Sequence, residues 1–184
     1  MPPADRESAR RAIRRAVLHR CQQLALPLGT RIAGYEPLPT EPGSTELLED
    51  LHAAGYQVIV PHTLPDRDLD WLPWPRLAEL DPADAAAEPE VAPPAALGVA
   101  AIDTARLILV PAFAVDRAGR RLGRGGGSYD RALARVSSGT VVAALIYSEE
   151  LIERVPVDAW DRPVTAVVSP AGWLELTGTG RGNT

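Results

Sequence analysis

Arg106-Leu107-Ile108-Leu109-Val110-Pro111 runs directly into Ala112-Phe113-Ala114-Val115-Asp116-Arg117-Ala118-Gly119-Arg120-Arg121-Leu122-Gly123-Arg124-Gly125-Gly126-Gly127-Ser128-Tyr129-Asp130-Arg131. The first block is a short, unbroken apolar run closed by proline. That pattern predicts a strand buried on both faces, as in a parallel sheet. The second block is a glycine- and arginine-rich loop, after which the pattern turns helical near Tyr129. A buried strand, a loop and then a helix form the repeating unit of α/β folds, and their ligands gather beyond the carboxyl ends of such strands.

Working outward, the same alternation continues. Residues 5–26 read as a helix, because Ala9, Ala12, Ile13, Ala16, Val17, Cys21 and Leu24 recur at three- and four-residue steps. The same spacing sets Arg6, Arg10 and Arg14 along another face. Pro27 and Gly29 end the helix, and a strand is expected over 31–35. Residues 36–43 form a turn-rich segment holding two carboxylates, Glu36 and Glu41. Thr45 is the expected N-cap of a second helix that buries Leu47, Leu48, Leu51 and Ala54 and stops at Gly55. A core strand follows over 56–61. Residues 62–97, rich in Pro, Asp and Ala, read as an irregular excursion with one short strand near 68–71, and Trp71 and Trp74 are expected at the edge of the core. Beyond the glycine loop, a helix over 129–136, a strand over 140–146, a short helix over 149–154 and a last strand over 164–169 complete the pattern. The expected architecture is α/β: a three-layer Rossmann-like sandwich, its mostly parallel central sheet flanked by helices. Residues 1–176 are expected to form one domain and residues 177–184 a flexible tail.

Composition narrows the chemistry. The chain has 184 residues, 46% hydrophobic and 23% charged, which suits one globular domain with a substantial core. All 19 basic residues are arginine, and no lysine occurs. That excludes a Schiff-base lysine, a lysine general base and the lysine-bearing phosphate loop. Anions must instead meet guanidinium forks and backbone N–H groups. The formal net charge of -5 argues against a general attraction to nucleic acid or anionic lipid. A single cysteine, Cys21, excludes an internal disulfide and a cysteine metal cluster. With neither a signal-peptide pattern nor a membrane-length apolar run, a cytoplasmic protein is expected.

The loop itself suits an anion. Four glycines within residues 123–127 let the backbone approach a bulky group closely, and Arg121 and Arg124 add bidentate donors. Asp130, at the start of the helix, is placed to hold Mg²⁺ against nucleotide phosphates. The dinucleotide fingerprint fails, because Ser128 stands where its third glycine or alanine belongs. On residues alone, a flexible surface loop remains the competing reading.

The run Arg121-Leu122-Gly123-Arg124-Gly125-Gly126-Gly127-Ser128-Tyr129-Asp130-Arg131, after Leu109-Val110-Pro111, resembles the signature of the 5-formyltetrahydrofolate cyclo-ligase family. Tyr35-x-Pro37 followed by Glu41 is similar to another family segment, as are Val155-Pro156 followed by Asp161 and the first-helix stretch from Arg6 to Arg10. Three positions depart from the family pattern. Arg6 stands for a lysine, Ser128 for an aromatic residue and Trp160 for a histidine.

The resemblance implies ATP- and Mg²⁺-dependent closure of 5-formyltetrahydrofolate to 5,10-methenyltetrahydrofolate, with release of ADP and phosphate. It implies that Arg6, Arg10 and Arg121, Leu122, Gly123, Arg124, Gly125, Gly126, Gly127, Ser128 and Tyr129 bind ATP. Arg124 and Tyr129 would be catalytic. Glu36 and Glu41, with Arg124 to Ser128, would meet the folate, and Asp130 and Asp161 would bind Mg²⁺. The implied partners are small molecules, a reduced folate and ATP, with no nucleic acid and no membrane, and a monomer is favoured. Two other readings compete. One is a non-catalytic or repurposed relative that binds folate or nucleotide. The other is an RNA-binding protein using Arg117, Arg120, Arg121, Arg124 and Arg131, whose binding would weaken steeply with salt.

Overall fold

The computed structural model describes residues 2–75, 96–156 and 160–176. Among the described residues, ten strands and three α-helices follow in the order α1 (Pro3–Gln23), β1 (Arg31–Ala33), α2 (Thr45–Ala53), β2 (Gln57–Thr63), β3 (Leu69–Trp74), β4 (Leu107–Pro111), β5 (Ala114–Asp116), β6 (Arg121–Leu122), α3 (Ser128–Leu133), β7 (Val141–Leu145), β8 (Leu151–Ile152), β9 (Ala166–Ser169) and β10 (Gly172–Glu175). The main sheet has the order β10-β9-β7-β4-β1-β2-β3. Its interior pairings are parallel, whereas β10 and β3 add antiparallel edges. The expected α/β architecture with a mostly parallel central sheet is therefore the observed one.

The apolar run at β4 explains the layering. Successive side chains of a strand point to opposite faces, so Leu107 and Leu109 join one core while Ile108 and Val110 join the other. The first core receives Ile13, Val17 and Cys21 from α1 and Leu47, Leu48 and Leu51 from α2. The second receives Ala132 and Leu133 from α3, and Ala101 and Ile102 from a 3₁₀ turn over Val99–Thr104. A small sheet, β6-β5-β8, lies outside the main one.

Several local expectations need correction. Ser44, not Thr45, caps α2, because its hydroxyl accepts the Leu47 N–H at 3.3 Å. The helix expected over 149–154 is only a 3₁₀ turn, Ser148–Glu150, after which Leu151 and Ile152 form β8. Pairing of Leu151 with Val115 in β5 outweighs the local helical pattern. Trp71 is not at the core edge but wholly buried in the second core, while Trp74 packs against the first. The short strand near 68–71 is present as β3, although residues 76–95 of the expected excursion lie outside the described residues, as does the tail from 177. Among the described residues, no helix is long and apolar enough to cross a membrane.

Candidate active site

The carboxyl ends of β2 and β4 open onto a cleft of about 1060 Å³. Pro61 and Thr63 of β2 and Pro111 of β4 form part of its floor, and the whole run 121–131 borders it. Glu41 and Asp161 reach it from separate loops. Of the residues that the resemblance assigns to a site, Arg6, Arg10 and Glu36 do not line this space, and of the arginines in the RNA-binding reading Arg117 and Arg120 do not.

Local backbone geometry explains the glycines. Gly125 and Gly127 have φ of +79° and +66°, the left-handed region in which a Cβ is strained. Gly127 occupies the N-cap of α3, so the chain turns sharply just before Ser128, Tyr129 and Asp130 open the helix.

Arg121 fastens the two ends of the loop together. One of its terminal nitrogens donates to Asp130 Oδ1 at 2.8 Å, and its cation lies 5.8 Å from the centre of the Tyr129 ring. Asp130 Oδ1 also accepts the Arg162 N–H at 3.2 Å, which brings the segment holding Asp161 to the same corner. Arg121 Nε and the Tyr129 hydroxyl are buried without a hydrogen-bond partner among the described residues. Such groups are costly to leave unsatisfied, and both can donate to an anion. Burial pushes the Tyr129 phenol well above its ordinary pKa. The Glu41 charge adds to that effect and Arg121 opposes it. Tyr129 is thus a protonated donor at neutral pH and not a base.

Glu41 faces this loop across the cleft. Its Oε1 accepts from Arg124 at 3.3 Å and its Oε2 accepts the Leu38 N–H at 2.8 Å. Its backbone carbonyl is held from behind by Arg10, at 3.1 Å from Nε and 2.9 Å from a terminal nitrogen, and by the Tyr147 hydroxyl at 3.2 Å. Arg10 also donates to the Pro39 carbonyl at 2.6 Å. In this geometry Arg10 clasps the turn that carries Glu41. Arg6, one turn earlier on α1, is half-buried, and its charge reaches the Tyr147 phenol together with that of Arg10. Glu36 is exposed.

A continuous glycine–arginine loop at the carboxyl end of a central strand, opposed by one carboxylate and ending in another, agrees with the resemblance read from the sequence. A family model described as the 5-formyltetrahydrofolate cyclo-ligase family matches residues 1–170. The chain belongs to that family. A relative called 5-formyltetrahydrofolate cyclo-ligase, from Mycolicibacterium smegmatis, is 36% identical over 149 residues, covering 77% of this chain and 74% of the relative. A mitochondrial cyclo-ligase of Arabidopsis thaliana is 38% identical over 81 residues, 39% of this chain and 29% of the relative. The solved structure of a 5,10-methenyltetrahydrofolate synthetase from Aquifex aeolicus superposes with a TM-score of 0.69 at 25% identity, covering all of this chain and 89% of the other. The synthetase of Mycoplasma pneumoniae gives the same TM-score at 18% identity, over 92% of this chain and 90% of the other, and shares the fold.

Several features of the cyclo-ligase cleft had no signal in the sequence. The Arg10 clasp holds main-chain carbonyls, which leave no mark on residue identity. The wall from β2 and β3 depends on the hairpin between them. Phe113, in contrast, has a signal in the sequence, as a large ring two residues after the proline that ends β4.

Proposed function

We propose that this chain catalyses ATP-dependent cyclisation of 5-formyltetrahydrofolate to 5,10-methenyltetrahydrofolate. The formyl oxygen takes the γ-phosphoryl group of ATP, releasing ADP. The folate N10 then attacks the activated carbon and gives up its proton to solvent, and phosphate leaves with the oxygen. The observation that carries this reading is the loop 121–131, which wraps one cleft with two buried, unpartnered donors and faces Glu41.

Charge moves onto phosphoryl oxygens during such a transfer, so positioned donors supply most of the stabilisation. In this reading Arg121, the backbone of residues 122–128 and Tyr129 hold the nucleotide phosphates. Arg124 bridges phosphate and formyl oxygen, and Tyr129 donates its proton in a hydrogen bond without losing it. Glu41, and from further out Glu36, receive the N–H groups of the pterin edge. Arg6 and Arg10 add positive charge from α1.

The donor set also fits Mg²⁺. Mg²⁺ takes oxygen ligands and is commonly held by one or two carboxylates plus substrate phosphates, and Asp130 and Asp161 border the same cleft. Two carboxylates leave most of an octahedral shell to substrate phosphate oxygens and water. When bound there, Mg²⁺ would offset charge on the transferring phosphoryl group.

The test is direct. Purified protein with MgATP and 5-formyltetrahydrofolate is expected to produce the absorbance of the methenyl product and one ADP per turnover. Absence of both product and ADP overturns the reading. Stabilisation by either substrate without turnover would identify a binding protein on the same fold.

A further inference from the structure

Phe113 follows the carboxyl end of β4 and precedes β5. Its N–H donates to the Leu122 carbonyl at 2.8 Å, which fixes it on the ribbon formed by β5 and β6. Its ring is nevertheless 51% exposed, and it borders the cleft. A large apolar surface left open inside a concave site gains free energy when a ligand covers it.

Its neighbours indicate which part of a ligand that is. The Arg124 guanidinium lies 5.8 Å from the Phe113 ring centre and also donates to Glu41 at 3.3 Å. The ring is therefore on the Glu41 side of the cleft. Trp160, the other exposed aromatic residue there, adjoins Asp161, and the next residue, Arg162, donates its N–H to Asp130 rather than to the Glu41 turn. A pyrimidinone edge with an adjacent amino group presents two parallel N–H donors that match one carboxylate. The pairing edge of adenine presents one donor and one acceptor, and a carboxylate repels the acceptor. Glu41 thus favours the first ring system, and a ring held by its edge still needs an apolar surface for its face.

We propose that Phe113 is a specificity-determining residue, the wall against which the planar pyrimidinone half of a reduced pterin lies while Glu41 takes its N–H groups. The proposal rests on the folate reading above. It assigns Phe113 to the folate and not to the nucleotide.

Calorimetric titration of the full chain with 5-formyltetrahydrofolate, and separately with a non-hydrolysable ATP analogue and Mg²⁺, tests it. Phe113→Ala is expected to weaken folate binding about tenfold and leave nucleotide binding unaltered, while Phe113→Tyr keeps both. Should the alanine variant fail to fold, Phe113→Leu gives the same comparison, with weaker folate binding and unaltered nucleotide binding expected. Unaltered folate binding in the variant that folds overturns the proposal. So does an equal loss of nucleotide affinity, or a tyrosine variant as weak as alanine. An unsubstituted protein that binds no folate overturns it together with the folate reading. Turnover by the unsubstituted protein reports on the cyclo-ligase reading alone.

Discussion

Arg121 and Asp130 form an ion pair at 2.8 Å that closes the glycine loop on itself, with the arginine side chain 5% and the aspartate side chain 21% exposed. Asp130 therefore has two tasks. It borders the cleft, and it neutralises an almost buried cation whose Nε lacks a partner among the described residues. Asp130→Asn is expected to lower turnover at least a hundredfold and also to cost roughly 1–3 kcal/mol of stability. Methenyl formation and urea unfolding measure the two effects. Loss of activity at unchanged stability would show that the pair does not hold the loop.

Arg10 donates its hydrogen bonds to the turn of Glu41 and, among the described residues, none to the glycine loop. Arg10→Met is expected to raise KM for 5-formyltetrahydrofolate at least as much as KM for ATP. A rise confined to ATP would assign Arg10 to the nucleotide alone.

Gly119 has φ of +81°, and a Cβ there would meet the Val164 carbonyl oxygen at 2.2 Å. The Gly119 carbonyl in turn accepts the Val164 N–H at 2.8 Å. Gly119→Ala combines backbone strain with a clash against main chain that has no rotamer to change. A loss of roughly 2–3 kcal/mol is expected in urea unfolding.

Cys21 is 1% exposed in the first core, and burial pushes its thiol pKa up to about 11. The thiolate is the reactive form. Folded protein is expected to resist iodoacetamide at mildly alkaline pH and to react once unfolded in urea, which mass spectrometry would report. Fast labelling of the folded protein would contradict the packing of α1.

Asp116 is buried, which works against its charge. N–H groups of Val155, Arg120 and Ala118 and the Arg120 cation outweigh that effect, and its pKa lies below the ordinary value. A carboxylate with a lowered folded-state pKa stabilises the fold above its unfolded pKa, about 4, and that contribution disappears as pH falls through the folded value. Asp68 behaves alike: hydrogen bonds from Arg135 and the Leu69 N–H, with the Arg135 charge, outweigh its burial. The urea midpoint is expected to drop steeply from about pH 4 downward, and Asp116→Asn should flatten that drop.

Where local pattern and tertiary demand coincide, the sequence is a good guide. The run Leu107 to Val110 reads as a strand buried on both faces because each face has its own core. The loop 121–131 reads as one constellation because it borders one cleft without interruption. Ser44 and Thr45 are both hydroxyl residues, so residue type could not choose between them, and the Ser44 oxygen reaching Leu47 N–H decides it. The segment 149–154 misled because its carboxylates suggest a helix start, whereas Leu151 finds its partner in Val115, far away in the chain. The Phe113–Arg124–Glu41 contacts join three segments that only the folded sheet brings together.

The grip of Arg10 on the carbonyls of Pro39 and Glu41 bears on how this protein can vary. Every residue type offers a main-chain oxygen, so the clasp does not depend on which side chains occupy positions 38–40. That stretch can drift in sequence, or be redesigned to alter what reaches the cleft, while Glu41 stays at its post. Freedom there depends on constancy at a residue some thirty positions earlier, and Arg10 is where a change would undo it.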